Sequence, residues 1–228
     1  EFLDILPMRV IIVGGGRVGR GLAERLEDRG ENVILIEQDP EVVETARNAG
    51  FTVRRGDGTR TEVLEEAGAN AAKTIAAATG DDDANLLVAQ LAQSKFDIET
   101  TIARVNSPGN AEAFEELGIR AIEADESVAQ SMDNAIERPA LAKWMSELGR
   151  QGDVQEIEVT AEEFSGKTIV ELDEMFPDGV LIALLSRDGD AQIPNADTTL
   201  RQGDNLTLVG RRDAVREAIN RCHSDRSA

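Results

Sequence analysis

The stretch Met8-Arg9-Val10-Ile11-Ile12-Val13-Gly14-Gly15-Gly16-Arg17-Val18-Gly19, followed by Val33-Ile34-Leu35-Ile36-Glu37, decides the fold. It reads as strand, glycine turn, helix and a second strand that ends on a carboxylate. Gly14, Gly16 and Gly19 stand in G-x-G-x-x-G spacing directly after the apolar run Val10 to Val13, and Glu37 lies 18 residues beyond Gly19. Gly14 permits the tight turn, Gly16 lets backbone approach a pyrophosphate, and Gly19 lets the helix pack on the strands. The helix N-terminus aims unpaired N–H groups at phosphate. Glu37 is then expected to accept hydrogen bonds from ribose hydroxyls. A 2′-phosphate would meet its carboxylate, so the pattern favours NAD(H), ATP or ADP over NADP. A glycine triplet alone carries little weight; the strand before it, the helix after it and the acid behind it make the pattern specific.

Composition narrows the functional classes. At 228 residues and 41 % hydrophobic content, the chain can build one large domain or two modest ones. It contains no apolar run of the roughly 18 residues that a membrane span needs, and no charged-then-apolar leader, so a soluble cytoplasmic protein without direct membrane insertion is expected. The one cysteine, Cys222, excludes an internal disulfide framework, and the one histidine, His223, sits beside it, too little for a zinc site. With no tyrosine either, the usual proton-transfer side chains are scarce. A net charge of −20 would repel nucleic acid and anionic lipid. Lysines are few (Lys73, Lys95, Lys143 and Lys167) while acids run along the whole chain, which reads as a salt-adapted, halophilic surface, with an ordinary acidic protein as the alternative.

Strand and helix signals alternate after the first unit. Residues 1–7 read as a linker or as extraneous to the domain. Asp39-Pro40-Glu41 is a helix start with proline at the first helical position. Short strands are expected at Phe51 to Arg55, Thr74 to Ala78, Ile98 to Val105 and Ile119 to Ile122. The helix after Asp81-Asp82-Asp83 is expected to bury Ala84, Leu87, Val88 and Leu91. The pattern predicts an α/β fold, a Rossmann-like doubly wound parallel sheet over residues 8–125. Residues 126–150 read as a helical crossover broken at Pro139, whose apolar residues Val128, Met132, Ile136, Leu141, Trp144, Met145 and Leu148 suit dimer packing. From 151 to 225 the signals change to a second, smaller α+β domain, with a hairpin turn at Arg187-Asp188-Gly189-Asp190.

Taken together, Gly14 to Gly19, Gly56-Asp57-Gly58-Thr59 and Gly203-Asp204-Asn205-Leu206 resemble the Trk-type potassium-uptake regulatory subunits, which are RCK-domain proteins. The resemblance covers about residues 8–222. It implies a cytoplasmic ring under a membrane potassium channel or transporter, peripherally associated with the membrane through that partner. Gating would change as adenine nucleotides exchange, so NAD(H) or ATP/ADP would be a ligand and the protein not an enzyme. By motif match, Gly14, Gly15, Gly16, Arg17, Val18 and Gly19 fall at the phosphates. Glu37 and Asp39 fall at the ribose, Asp57 on the adenine side, Thr79 beside the ribose and Arg104 near the phosphates. Arg17 could reach a terminal phosphate that a shorter nucleotide lacks. Asp125 matches a position near a divalent cation in some relatives, but one carboxylate makes no site. The chain holds one RCK unit rather than a fused pair, which implies dimers assembling to octamers. Plainer roles stay open: a turn residue for Asp57, a strand-end contact for Arg104. So do two other functions, a small NAD-dependent dehydrogenase of the precorrin/siroheme type and a nucleotide sensor for another transporter.

Overall fold

In the computed structural model the described residues are 8–141, 143–144, 152–160 and 164–223, with Cys222 and His223 in backbone only. The chain divides into two compact units, one through Ser131 and one from Met132. The first is built from β1 (Arg9–Val13), α1 (Arg17–Glu27), β2 (Asn32–Glu37), α2 (Pro40–Asn48), β3 (Val53–Arg55), α3 (Thr61–Glu66), β4 (Thr74–Ala77), α4 (Asp82–Phe96), β5 (Thr100–Val105), α5 (Ala111–Glu116), β6 (Arg120–Glu123) and the start of α6 (Ala124–Glu137). All six strands are parallel, in the order β3-β2-β1-β4-β5-β6. The chain runs outward from β1 to β3, crosses back, and runs outward again on the other side. This is the expected doubly wound sheet. The reversal lies between β1 and β4, where Val13 pairs with both Ile36 and Ala77, and a crevice opens there beyond the strand ends.

Burial on both faces explains the unbroken apolar run of β1. Ile11 and Val13 pack into one core with Val88, Ala89 and Phe114, while Val10 and Ile12 pack into the other with Ala23, Leu35 and Ala46. Two expectations are corrected. The buried stripe of α4 is Asn85, Val88, Ala89, Ala92 and Phe96, whereas Leu87 is 43 % exposed. Small residues face the sheet and let the helix approach closely. Strand β5 starts at Thr100 rather than at Ile98, because Asp97 takes a left-handed conformation (φ 53°) and Ile98 N donates to Ala92 O, 3.1 Å, in stopping the helix.

The second unit comprises β7 (Gly152–Glu158), α7 (Ile169–Asp173), β8 (Val180–Arg187), β9 (Asp190–Gln192), β10 (Asn205–Arg211) and α8 (Arg212–His223). Its antiparallel sheet has the order β7-β10-β8-β9 over a core that includes Phe164, Leu172, Ile182, Leu185, Leu206, Leu208 and Val215. The smaller α+β domain is therefore as expected. A reciprocal cap between Thr168 and Glu171 starts α7 at Ile169. The turn Asp188-Gly189 has positive φ at both positions, as a tight two-residue hairpin requires. Helix α6 stops at Glu137, just ahead of Pro139, and its Val128, Met132 and Ile136 are exposed. Met145 and Leu148 lie outside the described residues.

Candidate functional site

A cavity of about 520 Å³ opens at the sheet reversal, lined from the ends of β1, β2, β4 and β5 and from the turn 56–59. Of the expected site residues, Gly14, Gly16, Arg17, Val18, Glu37, Asp57, Thr79 and Arg104 line it; Gly15, Gly19 and Asp39 do not.

The glycine loop is fixed by its backbone. Gly14 sits at φ +107°, donates its N–H to Ile36 O at 2.8 Å, and would carry any Cβ 3.0 Å from the Ala78 carbonyl. Gly19 lies behind the loop: a Cβ there would stand 1.9 Å from Gly14 O, so only glycine lets α1 meet β1. Gly16 is the N-cap of α1, and a Cβ on it would find nothing within 4 Å. The space above the helix N-terminus is thus open to an anion. Gly15 is committed to the scaffold, its N–H donating to Glu37 Oε2 at 2.7 Å and its carbonyl accepting from Arg20 Nη1 at 2.6 Å. Arg20, not singled out by motif, thereby holds the loop from the first turn of α1.

Glu37 is oriented by three backbone donors. Gly15 N–H reaches Oε2, while Gln38 and Asp39 N–H reach Oε1 at 2.7 and 2.9 Å. Oε2 keeps one acceptor direction for an incoming hydroxyl. Asp39 caps α2, its Oδ1 accepting from Glu41 N at 2.8 Å and Val42 N at 3.4 Å, and does not line the cavity. Asp57 serves its turn and still lines the cavity. Thr59 donates through Oγ1 (2.7 Å) and N–H (2.9 Å) to Asp57 Oδ1, and these bonds, the hydroxyl's first, hold the carboxyl below the usual carboxylate range. Arg104 projects from β5, and its buried Nε has no hydrogen-bond partner among the described residues.

Motif reading missed two residues of α4 that organise the far wall. Asn85 is fully buried and bonds both Thr79 and the Arg104 carbonyl. Asp82 accepts from Asn106 N (2.7 Å), Asn106 Nδ2 (2.8 Å), Ser107 N (2.9 Å) and Asn110 Nδ2 (3.0 Å), fastening the segment after β5. Desolvation alone would raise its pKa; the four bonds outweigh it and hold the carboxyl far below the usual range. The available signal was Asn85 itself, a polar residue in phase with Val88, Ala92 and Phe96.

Residues 10–125 match the TrkA-N domain and residues 154–223 the TrkA-C domain. A Trk system potassium uptake protein TrkA homolog of Methanothermobacter thermautotrophicus is 33 % identical over 216 residues, 94 % of this chain and 99 % of that one. The chain belongs to the TrkA family. The resemblance drawn from the three glycine motifs therefore holds along most of the sequence. Among solved structures, the GsuK RCK domain is similar at 25 % identity with a TM-score of 0.50, over 96 % of this chain; the chain spans 47 % of that protein's length. The NAD(P)-binding domain of an exopolyphosphatase-related protein from Archaeoglobus fulgidus is similar at 25 % identity with a TM-score of 0.52, over 57 % of this chain and 97 % of that one. Among the described residues, no helix is long and apolar enough to cross a membrane.

Proposed function

We propose that the glycine-loop cavity takes an adenine nucleotide, NAD(H) or ATP/ADP, as a reversible regulatory ligand. Occupancy would control a membrane potassium channel or transporter to which the chain binds from the cytoplasm as a homo-oligomer, built on dimers and closing as an octameric ring. The observation that carries this proposal is the pairing of an open helix N-terminus at Gly16 with the guanidinium-bearing Arg104 in the lining of the same cavity, its Nε without a hydrogen-bond partner among the described residues. Both suit the negative oxygens of a diphosphate. The volume also lies within the roughly 300–1,000 Å³ usual for small-molecule sites. Membership of a potassium-uptake family and likeness to an NAD(P)-binding domain support the same reading.

In this assignment the N–H groups around Gly16, Arg17 and Val18 take the phosphates, and Gly14 and Gly19 keep the loop in shape. Glu37 accepts from the ribose and disfavours a 2′-phosphate, Thr79 lies beside the ribose, and Asp57 faces the adenine. Arg17, exposed at the rim, adds a contact that depends on how far the phosphate chain extends. That difference is what a switch needs, since a ligand shifts a conformational equilibrium only by its differential affinity, about tenfold per 1.4 kcal/mol.

Calorimetric titration in high KCl with ATP, ADP, NAD⁺, NADH and NADP⁺ tests the assignment. Glu37→Ala is expected to weaken every unphosphorylated ribose ligand by about 10- to 100-fold, the range for a charged hydrogen bond, and to narrow the gap to NADP⁺. Arg17→Ala should erase selectivity among the adenine nucleotides. An equal loss for all of them in Arg17→Ala would refute its part in the switch.

A further inference from the structure

We propose that Asn85 is a positioning residue of this cavity, locking Thr79 and Arg104 into a single unit so that the ribose and phosphate contacts form together; the inference rests on the nucleotide assignment above. Asn85 is 0 % exposed, within an α4 face otherwise made of Val88, Ala89, Ala92 and Phe96. Its Oδ1 accepts from Thr79 N at 3.0 Å and Thr79 Oγ1 at 2.7 Å, and its Nδ2 donates to Thr79 O at 3.2 Å and Arg104 O at 2.8 Å. Two acceptor directions and two N–H groups are thus all used.

A buried amide in a helix is worth less to stability than an apolar side chain of its size, unless its bonds do something else. Here all four bonds end on two residues, and both line the cavity. Thr79 follows the end of β4 and Arg104 lies on β5, whose neighbouring pair is Ala77 with Ala103. One side chain therefore bridges the two strand ends just beyond their last ladder pair, where a ligand must touch both. Removing it leaves the Thr79 hydroxyl bonded to Asp81 alone and the Arg104 carbonyl without its side-chain partner, so that more of the ordering must occur on binding rather than before it.

The experiment is a double-mutant cycle on the full chain, Asn85→Ala and Arg104→Ala, read by titration with ADP and with NADH. Asn85→Ala should weaken both ligands by about tenfold or more, and the double variant should lose clearly less than the product of the two single losses, the mark of residues acting through one another. Gln93→Ala, which removes bonds to Thr101 Oγ1 and Gly118 O from the same helix, should leave both affinities within about twofold. Should circular dichroism show Asn85→Ala unfolded, Asn85→Asp takes its place in the cycle: it keeps the Thr79 acceptor bonds and sets an anion against the Arg104 carbonyl. Wild-type binding with multiplicative losses, or with no loss at Asn85, overturns the inference alone. A wild type silent to both ligands overturns the nucleotide assignment and the inference with it.

Discussion

Gly19→Ala is expected to lower the stability of the first unit by about 3 kcal/mol or more and to abolish nucleotide binding with it. The added Cβ would lie 1.9 Å from Gly14 O and 3.1 Å from Gly14 C, both backbone atoms, so no side chain can swing aside. Either α1 tilts off β1 or the loop that bears Gly14 moves, and the loop is held at Ile36 O and packed against Ala78. Gly16→Ala is the informative companion. Its Cβ meets nothing within 4 Å, so the protein should unfold at nearly the wild-type urea midpoint yet bind nucleotide poorly, because Gly16 lines the cavity and an added methyl would compete with close approach of a phosphate. Urea titrations of the two variants, followed by circular dichroism, separate a glycine required by the fold from one required by the ligand. Wild-type stability in Gly19→Ala would contradict the packing described.

The second large effect lies in the C-terminal unit. Arg187 donates from Nε and Nη2 to the two carboxylate oxygens of Asp204, each at 2.7 Å, and Arg201 N adds a bond to Oδ2 at 2.8 Å. Arg187 Nη2 also reaches Thr199 O, so one guanidinium ties β8 to the segment that leads into β10. Asp204 is 1 % exposed, and Arg187→Met would leave its carboxylate buried with one backbone donor. Breaking such a pair costs roughly 3–5 kcal/mol, and because Arg187 keeps 24 % of its side chain in solvent the lower end, about 3 kcal/mol, is expected. The bond from Arg187 is the main reason that the Asp204 carboxyl titrates below its ordinary value. A depressed folded-state pKa contributes stability above the unfolded pKa, and that contribution disappears as pH falls through the folded value. The deficit of Arg187→Met relative to wild type should therefore be full at pH 7 and shrink on acidification below about pH 4. Denaturation of both proteins across that range is the check. A deficit that grew in acid would reverse the sign of the argument.

What could be read from the sequence was whatever a short stretch of backbone decides by itself. Gly14 and Gly19 announce a turn and a close contact that no other residue permits, and Glu37 follows at the distance set by one helix and one strand. Asp39 shows the boundary of that reasoning. Asp-Pro-Glu correctly marks a helix start, and the bonds that make Asp39 a cap give it a role that a motif match to the ribose does not distinguish. Asn85 could be noticed as a polar residue in an apolar phase, but its partners and those of Asp82 were out of reach because they lie up to 19 and 28 residues away, on elements brought together only by the strand crossover. The apolar period of α4 misled by one position, since alanines rather than leucines fit against β4 and β5. The Arg187–Asp204 pair was hidden likewise, its members lying 17 residues apart and Arg187 having a sufficient local reading at a hairpin turn.

The most direct test of the central claim is the electron density of crystals grown with ADP or NADH. The diphosphate is expected over Gly16 within reach of Arg104, with the adenosine ribose on Glu37 Oε2. Density for either ligand elsewhere on the chain, with the glycine loop holding only solvent at saturating nucleotide, would contradict it.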